Sequence, residues 1–135
     1  MNWKVDLLKK LGITVFAVSS IGLIGNLKVI ADTVEVSGGG TCEGDITANN
    51  LNGKVVCTYN NGDRFEGQFV DGKKQGQGTY TFADGGTYEG AFSNDAIAGE
   101  GVRTYQNGDR YEGSFNNGQP NGQGVYLSAD GGQYE

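Results

Sequence analysis

Beyond residue 41, apolar and polar positions alternate in short bursts of period two, and the bursts return with a period of about 23 residues, the signature of a repeat architecture. Three blocks align without a gap: Phe65–Thr87 (FEGQFVDGKKQGQGTYTFADGGT), Tyr88–Arg110 (YEGAFSNDAIAGEGVRTYQNGDR) and Tyr111–Gln133 (YEGSFNNGQPNGQGVYLSADGGQ). Positions 1, 3 and 5 of a block are aromatic, Gly and Phe, as in Tyr88, Gly90 and Phe92, with Glu and a small or polar residue between them. Such alternation predicts a short strand with one apolar face. Positions 7–12 carry turn chemistry, positions 14, 16 and 18 alternate again, and positions 19–22 form a second turn such as Ala83-Asp84-Gly85-Gly86. Each block therefore reads as a β-hairpin joined to the next by a tight turn. The frame runs upstream through a divergent copy, Cys42–Arg64, and a closing third at Val34–Thr41. Downstream, Tyr134-Glu135 opens a further copy, where Tyr134 either caps the last hairpin or marks a shortened reading frame.

Residues 1–31 break the pattern. Lys4, Lys9 and Lys10 precede an uncharged, mostly apolar run from Leu11 to Gly25, which predicts a hydrophobic leader helix. A basic flank, a short apolar centre and small residues at the end are the parts of a secretory signal peptide, with the cut expected between Ala31 and Asp32. The run falls short of the roughly 20 residues that span a bilayer. An uncleaved N-terminal membrane anchor or a surface helix is the other reading. The repeat domain then occupies 32–135.

Composition narrows the class. The 135 residues include 25 glycines, one proline, two cysteines and no histidine. Glycine brings no side chain to a core and loses the most backbone freedom on folding, which argues against a helical bundle or a compact α/β enzyme. Collagen is excluded because the glycines do not fall every third residue. Thirteen Phe and Tyr residues argue against disorder. On the strands, Gly67, Gly90, Gly113, Gly78, Gly101 and Gly124 share a face with the aromatics. The expectation is that a neighbouring hairpin's ring fills the space above each glycine, stacking the array through Phe65, Phe69, Tyr88, Phe92, Tyr111, Phe115 and Tyr134.

Tyr-Glu-Gly-x-Phe, a Gly-x-Gly and an Asp-Gly turn within one period resemble the MORN repeat, over copies 42–64, 65–87, 88–110 and 111–133. The resemblance implies an all-β fold, an elongated, twisted antiparallel meander of stacked hairpins. It also implies a non-catalytic module with no cofactor. Departures from the pattern are Cys42, Val55, Cys57, Asp95 for a turn glycine, Arg103 in an aromatic column and Ser128 for a second-strand aromatic.

Cys42 and Cys57 occupy positions 1 and 16 of one copy. Pairing of position 1 near 18 would make them diagonal neighbours within reach of a disulfide; two reduced cysteines in the core are the alternative. Arg103 either stacks on neighbouring rings or snorkels out of a frayed copy. Lys73 and Lys74 fall in a turn, where solvated side chains are expected, and complete the candidate contact residues. Gly72-Lys73-Lys74-Gln75-Gly76-Gln77-Gly78 lacks the Gly-Lys-Ser/Thr ending of a phosphate loop. No calcium-loop spacing is present. Without histidine there is no Ser-His-Asp triad and no imidazole zinc site. Glu66, Glu89 and Glu112 form a column on the polar face, but a carboxylate row on an open ribbon has no cleft for glycoside chemistry.

The chain carries a net charge of −6, and its leader holds four lysines and one aspartate, so residues 32–135 carry −9. That balance disfavours nucleic acid and anionic membrane surfaces, although the family resemblance by itself implies lipid binding. The expected function is a protein-interaction or scaffold module of the cell envelope, exported to the periplasm, envelope or extracellular space. Lipid association, through residues 1–31 or the sheet surface, is the alternative. Carbohydrate binding ranks lower, since the sole tryptophan is Trp3.

Overall fold

A computed structural model describes residues 14–16, 33–36, 39–44 and 52–135. The expected cut between Ala31 and Asp32 lies outside these residues. So does the leader helix, except that Thr14–Phe16 is a strand. Eleven strands follow one another in an antiparallel meander whose spatial order is the chain order. They are β1 (Thr14–Phe16), β2 (Thr33–Glu35), β3 (Gly40–Gly44), β4 (Gly53–Tyr59), β5 (Arg64–Val70), β6 (Lys73–Thr81), β7 (Thr87–Ser93), β8 (Ala96–Thr104), β9 (Arg110–Asn116), β10 (Gln119–Leu127) and β11 (Gln133–Tyr134). No helix is present among the described residues.

The register is the same in every copy. Position 1 pairs with position 16, as Cys42↔Cys57, Phe65↔Tyr80, Tyr88↔Arg103 and Tyr111↔Tyr126. The cysteines are thus directly opposite, correcting the diagonal placement expected from a pairing near position 18. Their Cα atoms are 3.9 Å apart and their sulfurs are bonded. Val34↔Cys42 repeats the pairing of Tyr80 with Tyr88, so β2 sits where a copy's closing strand sits.

The hairpin turn is also tighter than the expected span of positions 7–12. Only two residues make it: Asp71-Gly72, Asn94-Asp95 and Asn117-Gly118. Both members of each pair have positive φ (50° and 77°, 47° and 72°, 47° and 78°), the two-residue geometry whose twist matches the flanking strands. The strand then resumes at position 9 and carries two extra residues opposite β5, β7 or β9, as between Gly67↔Gly78 and Gln68↔Gln75. The first of these, Gly76, Gly99 or Gly122, has φ of 75°, 95° or 88°. That left-handed backbone gives the bulge its bend. The extra residues pair on their other side: Gly76 faces Phe92 and Gln77 faces Ala91. Turn chemistry from position 9 onward is therefore bulge chemistry within a strand.

The core is one face of this ribbon. Phe65, Phe69, Tyr88, Phe92, Tyr111 and Phe115 are buried with Cys42, Cys57 and Val55, and no polar or charged side chain is buried among the described residues. Tyr134, expected in the same set, is 66% exposed because β11 is covered only on its β10 side. The rings do not lie above a neighbour's glycines, as expected, but above their own. A Cβ on Gly90 or Gly101 would come within 2.5 Å of the Tyr88 hydroxyl oxygen, and one on Gly67 or Gly78 within 2.7 Å of the Phe65 ring. Each position-1 ring folds flat over the paired glycines of its own hairpin, and the Tyr88 hydroxyl donates to the Ala91 carbonyl at 3.0 Å.

Copies communicate through ring edges. Phe65 meets Phe92 of the next copy at 5.1 Å and 79°, and Tyr88 meets Phe115 at 5.1 Å and 80°. Within copies, Tyr88–Phe92 and Tyr111–Phe115 are likewise edge-to-face. Such pairs contribute about 0.5–1.5 kcal/mol each beyond area burial. A relay of rings therefore ties successive hairpins, none of which would be stable alone.

Candidate functional site

A second, half-exposed row runs along the same face from positions 16 and 18 of each closing strand. Its sequence is Tyr59, Tyr80, Phe82, Arg103, Tyr105 and Tyr126. Tyr59 and Tyr80 stack with centroids 6.1 Å apart, and Tyr80 tilts against Phe82 at 4.8 Å. Arg103 takes the place of a ring. Its guanidinium carbon lies 3.7 Å from the Phe82 centroid and 5.3 Å from that of Tyr105. Planar and weakly hydrated, a guanidinium stacks where an ammonium would not. The Arg103 Nε is buried with no hydrogen-bond partner, so the group is held by stacking and not frayed into solvent.

Lys74 overturns the expectation of a solvated turn lysine. Position 10 pairs with position 5 (Phe69↔Lys74), which places it on the aromatic face. The side chain is only 14% exposed, with Nζ 5.2 Å from the Tyr59 ring, 5.6 Å from Phe65 and 5.7 Å from Tyr80. Burial holds its pKa below the usual lysine value, against the opposing pull of Asp95 and Asp63. Lys73, one residue earlier, is exposed as expected.

Asp95, which replaces a turn glycine, reaches back across the copy boundary. Its carboxylate accepts from the Lys74 backbone N–H at 2.9 Å and lies 3.8 Å from Nζ, while its own N–H donates to the Lys74 carbonyl at 3.0 Å. Asp95 has φ 72°, and these contacts offset the strain that a non-glycine residue carries in that conformation. Lys74, Asp95, Phe92, Ile97, Tyr80 and Phe82 line a groove of about 330 Å³ on this face.

Carboxylates at the inter-hairpin turns anchor the outer row. Asp63 accepts from the Tyr80 hydroxyl at 2.6 Å and from the Ala83 N–H at 2.8 Å. Two copies later, Asp109 accepts from the Tyr126 hydroxyl and from the Ala129 N–H at 2.9 Å. Hydrogen bonding holds the Asp109 carboxyl below its usual pKa, with Tyr126 the largest contributor. For Asp63, burial pushes upward but is outweighed by the bonds from Tyr80, Ala83 and Asn61, leaving a lowered pKa. The phenols respond inversely: Tyr126 is raised to about 12 by Asp109, and Tyr59 to about 12 mainly by burial.

These contacts reveal a longer period that a single-copy alignment hides. The turns alternate between Asn-Gly-Asp-Arg (Asn61–Arg64, Asn107–Arg110) and Ala-Asp-Gly-Gly (Ala83–Gly86, Ala129–Gly132). Arg64 and Arg110 bridge Glu66 and Glu112 at 3.0 Å, whereas Thr87 leaves Glu89 without an ion pair among the described residues. The working unit is two copies, and turn sequences compared at double spacing would have shown it.

On the far face, Glu43, Glu66, Glu89 and Glu112 alternate with Val56, Thr79, Val102 and Val125 across the sheet. Successive glutamates are therefore two strands, about 9.6 Å, apart. No group of residues able to hold a metal ion occurs among the described residues.

The MORN repeat model matches residues 42–64, 65–87, 88–110 and 111–133, the intervals marked out by the hairpin register. The chain belongs to the MORN repeat family. No curated protein matches it. The MORN repeat is a non-catalytic module that in general mediates interaction with proteins or membranes. In this chain the MORN hairpins present an acidic glutamate-valine face and an aromatic face on which Lys74 and Arg103 are held by rings.

Proposed function

We propose that this MORN chain is a non-enzymatic interaction module that binds a protein partner along its aromatic face and serves as a scaffold of the cell envelope. The observation that carries the reading is the outer row Tyr80, Phe82, Arg103, Tyr105 and Tyr126. It is half-exposed, aromatic apart from the stacked Arg103, and fixed to a continuous sheet beside the 330 Å³ groove. Tyrosine and arginine side chains are enriched among the anchors of protein interfaces, and Arg103 is already held in place by its stacking on Phe82 and Tyr105. Export is supported by the basic-then-apolar pattern of residues 1–31 and by a bonded cysteine pair, which persists in oxidising compartments. The −9 charge of residues 32–135 favours a protein over an anionic lipid surface.

The test is affinity capture from the native envelope fraction with the full chain as bait. Wild type and Lys73→Glu are expected to capture the same partner, and Tyr105→Ala with Arg103→Ala is expected to lose it. Equal capture by the double variant rejects this face as the interface. Sedimentation with anionic vesicles in place of protein capture would favour the lipid reading.

A further inference from the structure

The two-copy period places two corresponding ring frames on the aromatic face, their tyrosine pairs inclined at 27° and 44°, and the chain supplies a lysine to only the first. In the first, Tyr59 and Tyr80 stand 6.1 Å apart, Phe65 lies alongside, and Asp63 anchors Tyr80. The Lys74 ammonium sits among the three rings, 5.2–5.7 Å from each centroid. In the second, Tyr105 and Tyr126 stand 6.3 Å apart, Tyr111 takes the place of Phe65, and Asp109 anchors Tyr126 as Asp63 anchors Tyr80. The backbone register is identical, with Phe65↔Tyr80 matched by Tyr111↔Tyr126 and Phe69↔Lys74 by Phe115↔Pro120. The residue at the lysine position is therefore Pro120, which supplies no charge.

We propose that the frame of Tyr105, Tyr111 and Tyr126 receives the ammonium group of a lysine side chain from a protein partner, taking the place Lys74 occupies in the first frame. The electron-rich ring faces attract a cation, and the Asp109 carboxylate beside them adds a negative charge. Arg103 is the opposing charge. It lies between Phe82 and Tyr105, on the side of Tyr105 away from Tyr126 in the row, and is already engaged by both rings. The acidic balance of residues 32–135 favours a cationic partner at longer range. The filled frame holds a primary ammonium, which sets lysine ahead of a trimethylammonium headgroup.

The inference rests on the interaction reading above, so its probe is a small molecule whose binding does not require the partner. Nα-acetyl-lysine methylamide titrated into the full chain is expected to shift the ring resonances of Tyr105, Tyr111 and Tyr126, with saturation at one equivalent and millimolar affinity. Pro120→Lys supplies an internal ammonium and is expected to weaken that binding by about tenfold or more, a loss of about 1.4 kcal/mol. Lys74→Ala opens the first frame and is expected to add a second equivalent, read at Tyr59 and Tyr80. Absence of saturable shifts in wild type, or unchanged binding by Pro120→Lys, overturns the proposal even if Lys74→Ala fails to fold. Stronger binding of phosphocholine than of the lysine amide overturns the choice of lysine. Loss of the ring shifts with partner capture intact sinks the cage alone.

Discussion

The hairpin that starts at Cys42 and the hairpin that starts at Tyr88 share a register and fill the same space with different chemistry. In the second, the Tyr88 ring lies over Gly90 and Gly101 and touches Phe92 and Phe115 by its edge. In the first there is no ring at position 1, and Val55 stands where the other copies have glycine. Val55 is buried, and the Cys42–Cys57 bond joins the two strands at the pair that Tyr88 and Arg103 form in the other hairpin. Three departures from the repeat pattern are thus one exchange. Without a ring overhead, position 14 has room for a side chain, and a covalent link replaces the ring contacts across the hairpin. In the ring-bearing copies, the paired strand glycines at positions 3 and 14 lie beneath the position-1 ring, whereas Gly44, with no ring above it, meets only the backbone of Lys54 and Val55.

The comparison breaks most visibly at Tyr88. Tyr88→Ala is expected to destabilise the array by about 3–5 kcal/mol, the range for truncating a buried ring, measured by chemical denaturation. In wild type, Gly101→Val forces a side chain into the Tyr88 ring and costs stability. In the Tyr88→Ala background the same change should recover part of the loss, as Val55 does beside Cys42. Independent, additive effects in that double-mutant cycle would refute the exchange.

Next in size is the bridge. Replacing Cys42 and Cys57 by alanine opens a link between residues 15 apart in sequence, and a loop of that length is expected to lose about 3 kcal/mol by chain entropy. Alkylation under non-reducing conditions followed by intact mass should leave both thiols unlabelled. Two labels would show that Val55 packing alone closes the hairpin.

The smallest effect is at the carboxylate anchors. Asp63 and Asp109 have folded pKa values below their unfolded ones. Their contribution is therefore complete above the unfolded value, about 3.9, and is lost as pH falls through the folded value. Stability should decline below about pH 4. In Asp63→Asn with Asp109→Asn, that acid slope should flatten, and Tyr126 should ionise earlier than its value of about 12. An unchanged slope in the double variant would assign the acid sensitivity to other carboxylates.

Much of the fold is legible in the sequence because each copy repeats one register. Period-two alternation locates strands wherever one face is buried, and the repeat frame places every hairpin from Cys42 to Gln133. The extent of the turn is not legible, because Gly, Asn and Asp serve both a two-residue turn and a bulge, and only strand pairing tells them apart. The position of Lys74 is hidden for the same reason. A lysine beside a turn is ordinarily solvated, but the turn ends two residues earlier, and position 10 then faces the rings. Tyr134 matches the pattern, yet a pattern cannot report that its strand is covered on one side only.

The amino-acid sequence by itself determined the class, the period and the apolar face of this MORN protein, because these depend on local alternation and on glycine spacing. Tertiary structure alone decided which ring covers which glycine, that Cys42 and Cys57 are directly opposed, and that Lys74 is caged while Pro120 stands at the matching position. Those outcomes depend on register across strands and on contacts between copies, which local sequence does not encode residue by residue.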